Sequence, residues 1–213
     1  MNRRPLILAL ALAGTVLACG PKKQNKVETP DPTPTVEPAP TPPPPKCEKL
    51  DEKCEAKGGK KARVAGVSLT IEPVVGWVYA QGEKATVAQS GTETACLALA
   101  GYEAGDGKDA KKFEQARQAE LEVLMTEVGI TLGKAKVPWK TPTDKFEVGS
   151  LKLQVWEVKD VTRGAKKGDL LVVAGPPNDG KALIAVGFVP KDDDQSGGKI
   201  VESLQTLAPG DAK

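Results

Sequence analysis

The chain has 213 residues and no histidine. That absence removes imidazole general acid–base catalysis, Ser-His and Cys-His nucleophile pairs, and every metal site that needs an imidazole ligand. Aromatics are scarce, at 4%. Charge of one sign is also lacking: 30 basic residues face 28 acidic ones, so the chain has no strong field for nucleic acid. No apolar run reaches the roughly 20 residues needed to cross a bilayer core. Four cysteines, 22 glycines and 18 prolines remain to be explained.

Residues 1–18 read as an export signal. Arg3 and Arg4 form a basic start, and Leu6 to Leu17 form an apolar run of signal-peptide length. The signal ends in Val16-Leu17-Ala18-Cys19, which resembles the lipobox of bacterial lipoproteins. The resemblance implies cleavage before Cys19, a diacylglycerol on its thiol and acylation of the new amine. Losing the two arginines of the signal leaves 28 basic and 28 acidic residues. Attachment would therefore rest on lipid, each buried methylene contributing roughly 0.8 kcal/mol. Lys22, Lys23 and Lys26 read as part of a solvated linker, with anionic headgroups as the rival contact. Gly20 follows Cys19, where inner-membrane lipoproteins of enteric bacteria often carry Asp, which favours the outer membrane. The expected location is the cell envelope, facing the periplasm.

Nine of the 18 prolines fall between Pro30 and Pro45. Proline fixes φ and biases its predecessor to extended geometry, so the stretch reads as a polyproline II spacer without a core. Residues 20–46 would reach at most about 80 Å at about 3.1 Å per residue. A stand-off arm is the favoured reading, and a Pro-rich docking peptide is the rival.

In an oxidising compartment Cys47 and Cys54 are expected to form a small loop disulfide. One straight helix would hold their Cα atoms about 10 Å apart by rise, so bonding requires a loop or broken turn. Cys96, in an apolar strand pattern, reads as a buried inert thiol.

The folded body is expected over residues 63–208, after a lipidated linker with the Cys loop (19–62) and before a tail (209–213). Val67 to Ile71, Lys84 to Ser90 and Thr94 to Tyr102 read as strands. Asp109 to Val128 reads as the main helix, with Phe113, Ala116, Leu121, Leu124 and Val128 as its apolar stripe and Gly129 as its left-handed cap. Leu151, Leu153 and Val155 alternate with Lys152, Gln154 and Trp156. Asp169 to Ala174 and Ala182 to Val189 are near-continuous apolar runs joined by turn residues, which predicts a hairpin in a sheet covered on both faces. A short last helix is expected over Lys199 to Leu207.

This order resembles the PsbP-like superfamily. The resemblance rests on Pro73-Val74-Val75-Gly76-Trp77, on Gly168 to Val173, and on Phe188-Val189-Pro190 leading to Ser203-Leu204-Gln205-Thr206-Leu207. It implies an α/β sandwich around a mostly antiparallel sheet and a binding or assembly role. It carries over no catalytic residues, because the superfamily has no shared catalytic set.

Three near-motifs fail on chemistry. Gly175 to Lys181 has P-loop spacing, but Ala182 stands where a hydroxyl should meet Mg²⁺ and a strand pattern follows, so no nucleotide is expected. Asp192 to Gly197 resembles the start of a Ca²⁺ loop, but its twelfth position is Ser203; the carboxylates and Ser196 read better as the cap of the last helix. Ser196 and Lys199 have Ser-x-x-Lys spacing without the companion motifs of a hydrolase. No cofactor, metal or catalytic set is expected. Trp77 and Trp156 read as core. Trp139, in a Pro-bounded loop with Lys136 and Lys140, is the candidate partner-binding or glycan contact, with an indole folded back over the sheet edge as the rival reading. The expected function is a non-enzymatic binding or scaffold domain with an envelope protein partner. The alternative is a small-ligand carrier with its pocket between helix and sheet.

Overall fold

A computed structural model describes residues 44–105, 109–176 and 178–210. The expected signal, lipidation site Cys19 and most of the proline-rich spacer lie outside these residues. Eleven strands and two helices follow one another: β1 (Ala62–Arg63), β2 (Leu69–Ile71), β3 (Val78–Gln81), β4 (Thr86–Gln89), β5 (Cys96–Glu103), α1 (Ala110–Glu127), β6 (Ile130–Thr131), β7 (Asp144–Val148), β8 (Leu151–Arg163), β9 (Lys166–Ala174), β10 (Lys181–Pro190), α2 (Ser196–Leu204) and β11 (Ala208–Pro209). Among the described residues no helix is long and apolar enough to cross a membrane.

The main sheet runs β3-β4-β5-β10-β9-β8-β6, with β7 also paired to β8. Every pairing in it is antiparallel. A small antiparallel sheet has the order β1-β2-β11. The fold is thus an α/β arrangement dominated by antiparallel sheet. β9 and β10 form the expected hairpin, with Ala174 opposite Ile184.

The two faces of the main sheet bury two separate cores, and strand alternation sorts the residues between them. In β5, Cys96, Ala98, Ala100 and Tyr102 face the core under α1, while Leu97 and Leu99 face the core under α2. In β10, Ile184, Val186 and Phe188 join the first core, and Leu183 and Ala185 the second. Double coverage explains why these strands read as unbroken apolar runs. Leu121, Leu124, Met125 and Val128 lay the stripe of α1 on its face. Ile200, Leu204 and Leu207 do so for the second core, although α2 begins three residues before the expected start.

Local chemistry sets the helix ends. Asp109 Oδ1 accepts from the Lys112 amide at 3.1 Å and caps α1. Gly129, at φ 69°, takes the left-handed position just past its C-terminus. Asp193 Oδ1 accepts from the amides of Gln195 (3.1 Å) and Ser196 (3.0 Å) at the start of α2; of the carboxylates expected to cap this helix it alone does so, while Asp192 pairs with Lys166.

The Cys loop differs from its expected place in the linker. Cys47 and Cys54 are disulfide-bonded, with Cα atoms 5.6 Å apart across one 3-10 turn, Leu50–Glu52. Both cysteines are buried in the second core. Tyr79 N donates to Cys54 O at 2.8 Å, and Gln81 N to Cys47 O at 2.7 Å. The loop thereby covers the edge strand β3, whose amides would otherwise face solvent unpaired. The tail also contributes: Ala208 and Pro209 pair with Thr70 and Leu69.

Candidate functional site

β8 is the longest strand, 13 residues, and its first half pairs with β7. A cleft of about 560 Å³ opens there. Its walls come from Phe113 and Arg117 of α1 and from Ala174, Gly175 and Pro176 at and just past the end of β9. Trp156, Leu153 and Phe146 supply further apolar lining, and Lys145, Glu147, Lys152 and Gln154 stand along the strand pair. The volume lies in the range of small-molecule sites, about 300–1,000 Å³.

Arg117 occupies an unusual position. It is only 8% exposed. Its guanidinium carbon lies 3.9 Å from the centre of the Trp139 ring, 5.3 Å from Phe113 and 5.5 Å from Trp156. Such faces attract a cation by about 0.5–2 kcal/mol each. They accept no conventional hydrogen bond from the guanidinium edges. Among the described residues Arg117 makes no hydrogen bond and no ion pair, and its Nε is sealed from solvent without a partner. Burial pushes its pKa down, against the opposing pull of Tyr102 and Glu114.

Two more donors near it are unmatched. Trp156 Nε1 is buried without an acceptor, as is the Tyr102 hydroxyl, whose ring stacks on Phe113 with centroids 6.3 Å apart. Burial pushes the Tyr102 hydroxyl up to about 12, with Arg117 pulling the other way and Glu120 adding to the rise. An unmatched buried polar group costs about 1–3 kcal/mol, so such groups are few in native folds. Here two of them, on Arg117 and Trp156, belong to residues that line one cleft.

Arg163 shows what a structurally committed arginine does in this fold. Its Nε donates to Val128 O at 2.7 Å, at the C-terminus of α1. Its terminal nitrogens reach Thr94 O (3.0 Å), Gln89 Oε1 (3.1 Å) and Glu93 O. It ties helix to sheet with four acceptors, and Arg117 has none.

Trp139 is half-buried, and its indole is turned into the domain. Nε1 donates to Gln118 Oε1 at 3.1 Å, and the ring meets Trp156 edge-on at 4.9 Å. Lys136 and Lys140 are exposed on either side of it. Trp77 and Trp156 are core residues, but of opposite cores. Trp156 lies, as the alternation predicts, on the face opposite Leu151, Leu153 and Val155, and packs in the core under α1. Cys96 is a free, fully buried thiol, and burial pushes its pKa up to about 11. Among the described residues no group of three or more Cys, Asp or Glu could hold a metal ion.

Arg117 is the site residue absent from the sequence-based expectation. The expected stripe is Phe113, Ala116, Leu121, Leu124 and Val128, and Arg117 stands at i+4 from Phe113 and i−4 from Leu121. A cation at a stripe position was the available signal. It was masked by the usual solvated place of arginine on helices.

The fold and cleft define an antiparallel α/β domain with a concave site between its long helix and the end of its sheet. No protein-family model matches the chain, and no curated protein matches it. It is similar to a solved structure from Bacteroides thetaiotaomicron VPI-5482, at 12% identity and a TM-score of 0.44; the match covers 72% of this chain and 49% of that one, so the chain spans about half its length. It is similar to a mutant of the protein Mog1, at 14% identity and a TM-score of 0.43, over 72% of this chain and 96% of that one. It is similar to the Saccharomyces cerevisiae Ran-binding protein Mog1p, at 13% identity and a TM-score of 0.42, over 70% of this chain and 94% of that one. These likenesses bear on neither activity nor partner.

Proposed function

We propose that this chain is a lipid-anchored protein of the cell envelope whose globular domain binds without catalysing. The observation that carries the reading is Val16-Leu17-Ala18-Cys19 at the end of an apolar run of signal length. In this account Cys19 holds the acyl chains, and the proline-rich segment holds the domain off a membrane, with the outer membrane favoured. Confinement to a layer under about 100 Å deep raises the effective concentration of the domain for neighbouring envelope proteins. The partner surface includes the exposed Lys136 and Lys140 around Trp139.

Binding is favoured over catalysis by the residues present. The chain has no histidine, and its unpaired thiol, Cys96, is sealed in the core with a raised pKa. A thiol must be exposed and ionised to act as a nucleophile. The finer fold reading is the PsbP-like sandwich, supported by one helix on each face of an antiparallel sheet. In fractionated cells, Cys19→Ala should move the protein from the membrane to the soluble fraction. Unchanged membrane retention would refute the anchor.

A second reading, carriage of a small ligand, is favoured by the cleft of about 560 Å³ between α1 and the β7–β8 pair.

A further inference from the structure

We propose that this cleft is a site for a small carboxylate carried on an aromatic or aliphatic body, with Arg117 as the residue that holds the carboxylate. The proposal rests on the small-ligand reading of the cleft and names the chemistry of that ligand.

The charge comes first. Arg117 is 8% exposed, lines the cleft and makes no ion pair or hydrogen bond among the described residues, Glu114 acting on it only from beyond ion-pair distance. A buried cation without a hydrogen-bonded counter-charge is held at a cost that a ligand carboxylate would lower. A guanidinium presents parallel N–H donors matched to the two oxygens of a carboxylate. Trp139 covers the guanidinium from one side at 3.9 Å and fixes its plane before any ligand arrives.

The remaining lining selects the body of the ligand. Phe113, Trp156, Phe146, Leu153, Ala174 and Pro176 offer aromatic and aliphatic surface. The buried indole N–H of Trp156 is a second unmatched donor among the lining residues. At the rim stand two lysines, Lys145 and Lys152, and one carboxylate, Glu147. Glu147 sits directly across the strand pair from Lys152 and makes no ion pair with Arg117. With Arg117, three cations face one carboxylate, so the cleft favours an anion.

The test uses the full chain in phosphatidylcholine nanodiscs, with empty discs as the subtracted control. Phenylbutyrate and its uncharged isostere phenylbutyramide are titrated calorimetrically. Phenylbutyrate should bind at least about ten-fold more tightly than the amide. Arg117→Met should bring the two to within about two-fold while shifting the thermal midpoint only a little, because the lost cation contacts with the rings are offset by removal of a buried charge that makes no ion pair. Equal affinities in the native protein would overturn the carboxylate assignment and leave small-ligand carriage standing. No heat from either probe would overturn both. Should Arg117→Met fail to fold, the nitrogen NMR signals of the Arg117 side chain in the native protein decide the matter. Phenylbutyrate should shift them and phenylbutyramide should not, and unmoved signals at saturating phenylbutyrate would overturn the proposal.

Discussion

Arg117 lies with its guanidinium carbon 3.9 Å from the centre of the Trp139 ring, and the same indole donates its N–H to Gln118, one residue further along α1. Trp139 therefore clamps the loop after β6 onto the helix. Trp139→Ala should lower unfolding free energy by about 2–3 kcal/mol, through lost packing on Trp156 and the lost cation contact. Trp139→Phe, which keeps a ring but not the N–H, should lose about 1 kcal/mol. Urea unfolding measures both. An unchanged midpoint for Trp139→Ala would mean the indole is a surface group with no structural role.

The Cys47–Cys54 bond closes a short loop whose carbonyls receive the amides of β3. Chain-entropy reasoning assigns about 2–3 kcal/mol to a loop of this length. Double substitution to serine should cost that amount in urea unfolding. It should also speed hydrogen exchange at the Tyr79 and Gln81 amides well before exchange in β5 and β10 changes. Uniform acceleration across the sheet would contradict the edge-covering role.

Cys96 gives a pH dependence of defined sign. Its native pKa is raised to about 11 by burial, above an ordinary thiol value of 9.0. Below about pH 9 the thiol is protonated in both folded and unfolded chains, and its contribution to stability is fully present. As pH rises from about 9 to about 11 the unfolded chain ionises first, so stability is lost, by an amount on the order of 2–3 kcal/mol. The difference in stability between the native chain and Cys96→Ala should therefore change over this window and be flat below it. The native thiol should also resist iodoacetamide until the protein unfolds. Rapid labelling of folded protein would contradict its burial.

Gly101 is required by a crossing. Residues 65–67 pass over β5 there, and Gly101 N donates to Ala65 O at 2.7 Å. A Cβ at Gly101 would stand 2.8 Å from Val67 Cβ and collide with its Cγ1. Gly101→Ala should destabilise by about 1–3 kcal/mol, as overpacking does. Val67→Ala should recover part of that loss in the double mutant, because the two residues are in contact. Additive losses would show that the strain lies elsewhere.

Much of this architecture was legible before any coordinates. The helical stripe from Phe113 to Val128 and the left-handed cap at Gly129 located α1. The apolar runs of β9 and β10 signalled a sheet covered on both sides. Other elements were not legible, for physical reasons. β1, β6 and β11 are two residues long and exist through their partners rather than their own pattern. Trp156 was legible as core, but its meeting with Trp139 and Arg117 was not, because those residues come from a loop and a helix distant in sequence. The Cys loop looked like linker because its residues are polar; its place on β3 comes from backbone hydrogen bonds and two buried sulfurs. The cleft was least visible, since it depends on α1, the β7–β8 pair and the end of β9 coming together and on Arg117 lying where the helical stripe called for an apolar side chain.

The anchor remains the claim on which the proposed function turns, and the mass of the native product tests it directly. Protein isolated from its own cells should begin at Cys19 and carry the added mass of a diacylglycerol and an amide-linked acyl chain. An unacylated chain, or one that begins upstream of Cys19, would contradict the account.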